Sequence, residues 1–193
     1  MTLVGLLRHG DVAGNPCFRG ITDDPLTQGG WQQMRRATDH NHHWNRVISS
    51  PLRRCQQFAN EYGMQQGLSV IVEERFAEID FGDWEGRTPA EIMATQSGAL
   101  KRFWTNPLHY TPPNAEPLIE FSTRVMDAWH NLMYQWRNDR LLVVTHGGVI
   151  RVVLCHLKYK SIDKLLDIEV RHGDLFLVQI AEDSTTPVID LVR

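Results

Sequence analysis

Two short apolar runs, one at the start of the chain and one far along it, each stop at a histidine followed by glycine. Leu3-Val4-Gly5-Leu6-Leu7 leads into Arg8-His9-Gly10, and Leu141-Leu142-Val143-Val144-Thr145 leads into His146-Gly147-Gly148. An unbroken apolar run of this length, bounded by glycine, is the pattern of a strand buried on both faces of a helix-covered parallel sheet. In an open sheet of that kind, ligands bind in the crevice beyond the carboxyl ends of the strands. Both histidines would then face one crevice, although most of the chain separates them. Such an arrangement points to phosphate chemistry.

The intervening sequence alternates helix and strand signals. A Gly/Asp/Asn/Pro-rich loop from Asp11 to Pro25 precedes a predicted helix from Thr27 to about Trp44, with Trp31, Met34 and Ala37 or Thr38 inward. Arg46 to Ser49 reads as a short strand. Ser50 then supplies an N-cap with proline at the first helical position. The helix it opens carries Leu52, Cys55, Phe58, Ala59 and Tyr62 at helical spacing, and Gly67 stops it. Leu68 to Val72 is a further strand, and Phe76 to Arg87 is irregular. Thr88-Pro89-Ala90-Glu91 is a capping box. After a loop around Asn106 to Pro117, the apolar positions Phe121, Val125, Trp129, Leu132, Met133 and Trp136 mark a long amphipathic helix. The strand Leu141 to Thr145 and a helix from Val149 to Leu157 follow. Leu175 to Ala181 and Val188 to Val192 are predicted to close the sheet as antiparallel neighbours. The alternation predicts one α/β domain over 1–193, with a largely parallel mixed sheet between helices on both faces.

Composition narrows the partners. With 193 residues, 42% apolar and 22% charged, the chain is an ordinary globular one. A formal charge of −3 offers no general attraction to nucleic acid or anionic membrane, so a phosphate site has to be a local positive pocket. Cys17, Cys55 and Cys155 are odd in number and in no CxxC arrangement, which favours thiols in a reducing compartment. The first apolar run is short and cut by Arg8, unlike a signal peptide or membrane span. A cytoplasmic protein is expected, with a homodimer left open.

Four segments carry a resemblance to a known family. Leu7-Arg8-His9-Gly10, Ser50-Pro51-Leu52-Arg53-Arg54, Phe76 to Gly86 (FAEIDFGDWEG) and Thr145 to Arg151 (THGGVIR) resemble, in order, the four signatures of the histidine phosphatase (phosphoglycerate-mutase-like) superfamily. A lone Arg-His-Gly would be weak; four matches in order are specific. The resemblance implies that family's three-layer sandwich, a phosphohistidine formed at His9 and then hydrolysed, and no need for a metal or cofactor. It assigns Glu78 as the general acid and, by the Ser-x-Leu-x-Arg spacing, Arg54 rather than Arg53 as the phosphate ligand.

Physical chemistry supports these roles. A phosphoryl group in transfer carries negative charge on its equatorial oxygens, so positioned cations supply most of the catalysis. Arg8 and Arg54 offer forked donors, His146 adds another, and Gly147 lets backbone approach the phosphate. Cations around His9 keep its ring neutral and nucleophilic. Glu78 would protonate the leaving oxygen and later deprotonate water, a contribution of roughly 10²–10⁴-fold. Asp80, Asp83 and Glu85 compete for that role, and the family's Glu-x-x-Phe-Gly pattern favours Glu78. Glu116 either touches substrate or orders a lid. The Asp39-His40-Asn41-His42-His43-Trp44 run fits no regular metal-ligand set and reads as a solvated surface.

Within the superfamily, Phe18-Arg19-Gly20, Asp23 to Thr27, Phe103-Trp104 and Thr111-Pro112-Pro113 resemble the proteobacterial α-ribazole phosphatases of cobalamin assembly. Arg19 is then an additional phosphate or substrate contact, and Asn15 matches a common family asparagine despite a shortened loop. A lid-like segment at about 85–118 would cover the pocket, with Trp84 and Trp104 expected to stack on the substrate's base. The competing readings are a broad-specificity phosphatase and a non-catalytic phospholigand-binding protein.

Overall fold

A computed structural model of the chain describes residues 1–40, 42–158, 161–180 and 188–192. Its strands are β1 (Thr2–Arg8), β2 (Arg46–Ser49), β3 (Val70–Val72), β4 (Arg140–Thr145), β5 (Leu175–Ile180) and β6 (Val188–Val192), in the order β3-β2-β4-β1-β5-β6. The first four strands in that order pair in parallel; β5 and β6 run antiparallel to their neighbours. The two apolar runs are thus adjacent central strands, each buried along nearly all its length.

Period-two alternation sends side chains of each strand to both faces. Val4, Leu6, Leu141 and Val143 pack beneath α5 (Leu118–Gln135) and α6 (Gly147–Leu157). Leu3, Leu7, Leu142 and Val144 pack beneath α1 (Gln28–Thr38) and α2 (Arg53–Gln66). Each such fully buried aliphatic side chain contributes about 1.5–3 kcal/mol of transfer free energy. A third, aromatic cluster joins Phe18 and Trp84 to α3 (Pro89–Thr95) and α4 (Ala99–Thr105). The Thr88–Glu91 capping box and the left-handed Gly67 stop form as expected.

Local pattern misplaces some boundaries. The helix expected to reach Trp44 ends at Thr38, whose hydroxyl bonds back to Met34 O and Arg35 O. Trp44 instead lies across the sheet at Gly5, where a Cβ would come within 2.7 Å of the indole. Ser50 does not cap α2: the N-cap is Leu52, and the serine hydroxyl is engaged elsewhere. The third strand starts at Val70 rather than Leu68, and α6 starts at Gly147, two residues early. Ala181, expected at the end of β5, lies outside the described residues. Among the described residues, no helix is long and apolar enough to cross a membrane.

Candidate active site

Strand register assembles the centre. Arg8 on β1 pairs opposite Thr145 on β4, and the His9 N–H donates to Thr145 O at 2.9 Å. The two histidines therefore leave the sheet side by side, with ring centroids 5.2 Å apart. His9 Nδ1 sits 2.8 Å from Gly10 O. A carbonyl can only accept, so Nδ1 carries the proton and the Nε2 lone pair is free. Burial, then the Arg54 and Arg8 guanidiniums, hold the His9 pKa well below the ordinary histidine value. His146 is lowered likewise by burial and Arg54. Ser50 Oγ accepts the Leu52 N–H and shares a 2.6 Å hydrogen bond with His146 Nε2, whose direction is set by the histidine tautomer.

Both arginines are held from behind. Arg54, fully buried in the first turn of α2, donates from Nη1 to Thr22 O (2.7 Å) and from Nη2 to Gly20 O (2.6 Å). That loop hangs on Glu85, whose carboxylate accepts the N–H groups of Gly20, Ile21, Thr22 and Phe81 and the Thr22 hydroxyl. Arg8 donates from Nη1 to Val170 O (2.7 Å) and from Nη2 to His172 Nε2 (3.0 Å). In each arginine the buried Nε has no partner. Two unmet cationic donors beside a neutral ring with a free Nε2 lone pair suit a phosphate dianion.

Glu78 closes the site. Its Oε2 accepts the Gly148 N–H at 3.0 Å and its Oε1 the Ile79 N–H at 3.1 Å. A Cβ on residue 148 would fall 2.2 Å from Oε1, so the acid's seat requires glycine there. The other acids are occupied: Asp80 accepts Gly82 N–H, Asp83 accepts Asn114 Nδ2, and Glu85 anchors the Arg54 loop. Glu116 pairs with Arg124 at 2.7 and 2.8 Å. Arg124 also binds the carbonyls of Arg75, Ala77 and Glu78, so this pair shapes the segment that carries the acid.

Glu78 lines two cavities. One, of about 340 Å³, is walled by Arg8, His9, Asp11, Arg19 and His172 among others. The second, of about 130 Å³, is walled largely by Phe103, Trp104, Tyr110, Phe121 and Leu165. A polar chamber and an apolar one thus meet at the carboxylate.

The model of the histidine phosphatase superfamily (branch 1) matches residues 4–189. The chain belongs to that superfamily. Phosphoserine phosphatase 1 of Hydrogenobacter thermophilus (strain DSM 6534 / IAM 12695 / TK-6) is 28% identical over 156 residues, 79% of this chain and 74% of its own. The structure of Bacillus stearothermophilus YhfR superposes with TM-score 0.89 at 25% identity, covering 98% of this chain and 95% of that one. The α-ribazole phosphatase from Shigella flexneri superposes with TM-score 0.88 at 23% identity, covering 98% and 95%, a likeness of fold.

In this histidine phosphatase, the core motif residues meet as a cluster, while the peripheral expectations divide. Arg19 lines the polar cavity but is paired with Asp24 at 2.7 Å and donates to Ala13 O and Asn15 O. Asn15 lies on the rim with its side chain exposed. Gly147 stands over Arg8: a Cβ there would lie 3.3 Å from Arg8 Nε. Trp84 has to be corrected. It is fully buried against Phe18, Phe103 and Tyr110, donates Nε1–H to Gln96 at 3.0 Å, and has no face for a base. Trp104, half exposed, does line the apolar cavity. Among the described residues, no group of three or more His, Cys, Asp or Glu is arranged to hold a metal; Asn41 of the histidine-rich run lies outside them. Arg124 and His172 escaped sequence reasoning, since neither belongs to a motif.

Proposed function

We propose that this histidine phosphatase hydrolyses phosphate monoesters through a covalent phosphohistidine at His9, and that its natural ester is α-ribazole 5′-phosphate. The observation carrying the mechanism is the unprotonated His9 Nε2 in the field of two guanidiniums, Arg8 and Arg54, whose buried Nε groups lack partners. In the first step Nε2 attacks phosphorus, the ester P–O bond breaks, and Glu78 gives a proton to the departing alkoxide. In the second, water attacks the phosphorus, Glu78 takes its proton, the N–P bond breaks, and phosphate leaves with His9 restored. Arg8 and Arg54 neutralise the charge on the equatorial oxygens throughout, and His146, a neutral ring, contributes through hydrogen bonding. These residues supply the cations and the proton shuttle, so the scheme uses no metal.

The substrate assignment is supported by the apolar chamber. An ester whose leaving oxygen lies beside Glu78 has the aromatic wall of Phe103, Trp104 and Tyr110 on the acid's other side. A benzimidazole ring would gain there both area burial and aromatic contact. The working compartment is proposed to be the cytoplasm. A broad-specificity phosphomonoesterase is the second reading, favoured by the mainly apolar lining of that chamber, where Asp80, Tyr110, Thr111, Glu116 and Arg151 are the polar side chains besides Glu78. A non-catalytic phospholigand sensor would have no use for a positioned acid.

Comparing kcat/KM for α-ribazole 5′-phosphate, p-nitrophenyl phosphate and 3-phosphoglycerate tests the assignment. A preference of about 10²-fold or more for the ribazole ester is expected, and equal values would leave the general phosphatase. Acid-quenched labelling that traps no phosphohistidine in a turning-over enzyme would sink the covalent route.

A further inference from the structure

The antiparallel direction of β5 brings its entering segment to the same edge of the sheet as the carboxyl ends of β1 and β4. That segment, residues 170–174, is bonded along the nucleophile's own strand end. Arg8 N–H donates to Asp174 O at 3.0 Å, and Gly173 N–H to His9 O at 3.4 Å. Arg8 Nη1 reaches Val170 O and Nη2 reaches His172 Nε2. The His172 ring stands 5.4 Å from the His9 ring and forms part of the polar cavity wall.

A guanidinium only donates, so His172 Nε2 has to be bare and its proton sits on Nδ1, the nitrogen 3.9 Å from Asp11 Oδ1. With the two terminal nitrogens of Arg8 tied to one segment, rotation of the fork is blocked. Its unpartnered Nε is then left beside Gly147, at the head of α6, where no Cβ intervenes. We infer that His172 is a positioning residue of the phosphate site, a neutral acceptor that fixes the Arg8 fork so that its free donors meet the phosphoryl group. Burial and the neighbouring Arg8 push the His172 pKa down to about 4, which keeps the ring an acceptor over the range in which the enzyme would work. None of the four motif segments includes this residue, and its effect passes through Arg8 rather than by bond-making. The inference rests on the phosphoryl-site reading but is independent of the natural ester.

The test compares His172→Leu, which removes the acceptor, with His172→Asn, which restores one on a shorter side chain. For each, kcat/KM on p-nitrophenyl phosphate, Ki for vanadate and Tm are measured. His172→Leu should lose about 10- to 100-fold in kcat/KM, the scale of a hydrogen bond to a charged group. Its vanadate Ki should weaken in step, and its Tm should hold within a few degrees. His172→Asn should recover most of both losses. Unchanged kinetics in His172→Leu would overturn the inference, as would a loss that tracks a fall in Tm and is not rescued by asparagine. Calorimetric binding of inorganic phosphate reads the same variants without turnover. A wild type that binds phosphate but cleaves no ester therefore counts against the esterase reading, while the phosphate affinities still decide the role of His172.

Discussion

The two chambers that meet at Glu78 are built on different principles. The polar one is set by the register of two buried parallel strands, backed by carbonyls and by Glu85, so its cations have little freedom. The apolar one is walled by side chains from α4, the 107–112 loop, α5 and the 165–166 turn, which touch mainly through aromatic and aliphatic packing. Sheet register cannot shift by one residue without turning every core side chain to the wrong face. Packed apolar walls tolerate exchange far better. On the proposed mechanism the chemistry is fixed by the fold, while the wall proposed to choose the substrate is open to exchange without disturbing it.

Substitutions can break that division at either side. The largest effect is expected for His9→Ala: kcat on any ester should fall by about 10⁴-fold or more, since no other free ring nitrogen replaces Nε2. Glu78→Gln, at the junction, should lower kcat by about 10²–10⁴-fold while vanadate affinity stays within a few-fold, separating proton transfer from phosphate binding. The two tryptophans sharpen the contrast within one region. Trp84→Ala should cost about 3–5 kcal/mol in unfolding free energy, read by denaturant titration, because it empties the centre of the aromatic cluster. Trp104→Ala should leave stability within about 1 kcal/mol and lower the preference for aromatic over small esters by roughly 10-fold, as loss of one stacking contact predicts.

A pH titration of stability gives a graded effect rather than a single step. His9, His146 and His172 all have pKa values below the ordinary histidine value of 6.5 in the folded chain. Below about pH 6.5 the unfolded chain binds protons that the folded one refuses, so stability is full above that pH and declines as pH falls. Each fully buried ring contributes at most about 1.4 kcal/mol per pH unit in that window. Urea midpoints from pH 7.5 to 5 should therefore drop. A flat profile would mean these rings do not sit in the cationic cluster described.

How far the site could be read in advance follows the same divide. Buried strands betray themselves by composition, and residues just past their ends inherit a position from topology alone, which is why His9 and His146 were legible. The Thr88 capping box and Gly67 were legible because their causes lie within a few residues. Trp44 was not: the helix stops at Thr38 and the indole covers Gly5, a contact across the fold that local spacing does not announce. Ser50 looks like a cap by neighbourhood but serves His146. Glu85, Arg124 and His172 bond to segments far off in sequence, and no local spacing announces such partners.

The antiparallel turn into β5 also sets a timetable. A growing chain that has made β1 through α6 already owns His9, His146, Arg54 and Glu78, yet Arg8 still lacks Val170 and His172, and the polar cavity lacks a wall. The wall of the polar cavity is complete only once the segment leading into β5 is in place. On the proposed mechanism, a chain cut after α6 is expected to carry His9 and Glu78 and still turn over no ester, because the segment that bonds to Arg8 and His9 is missing.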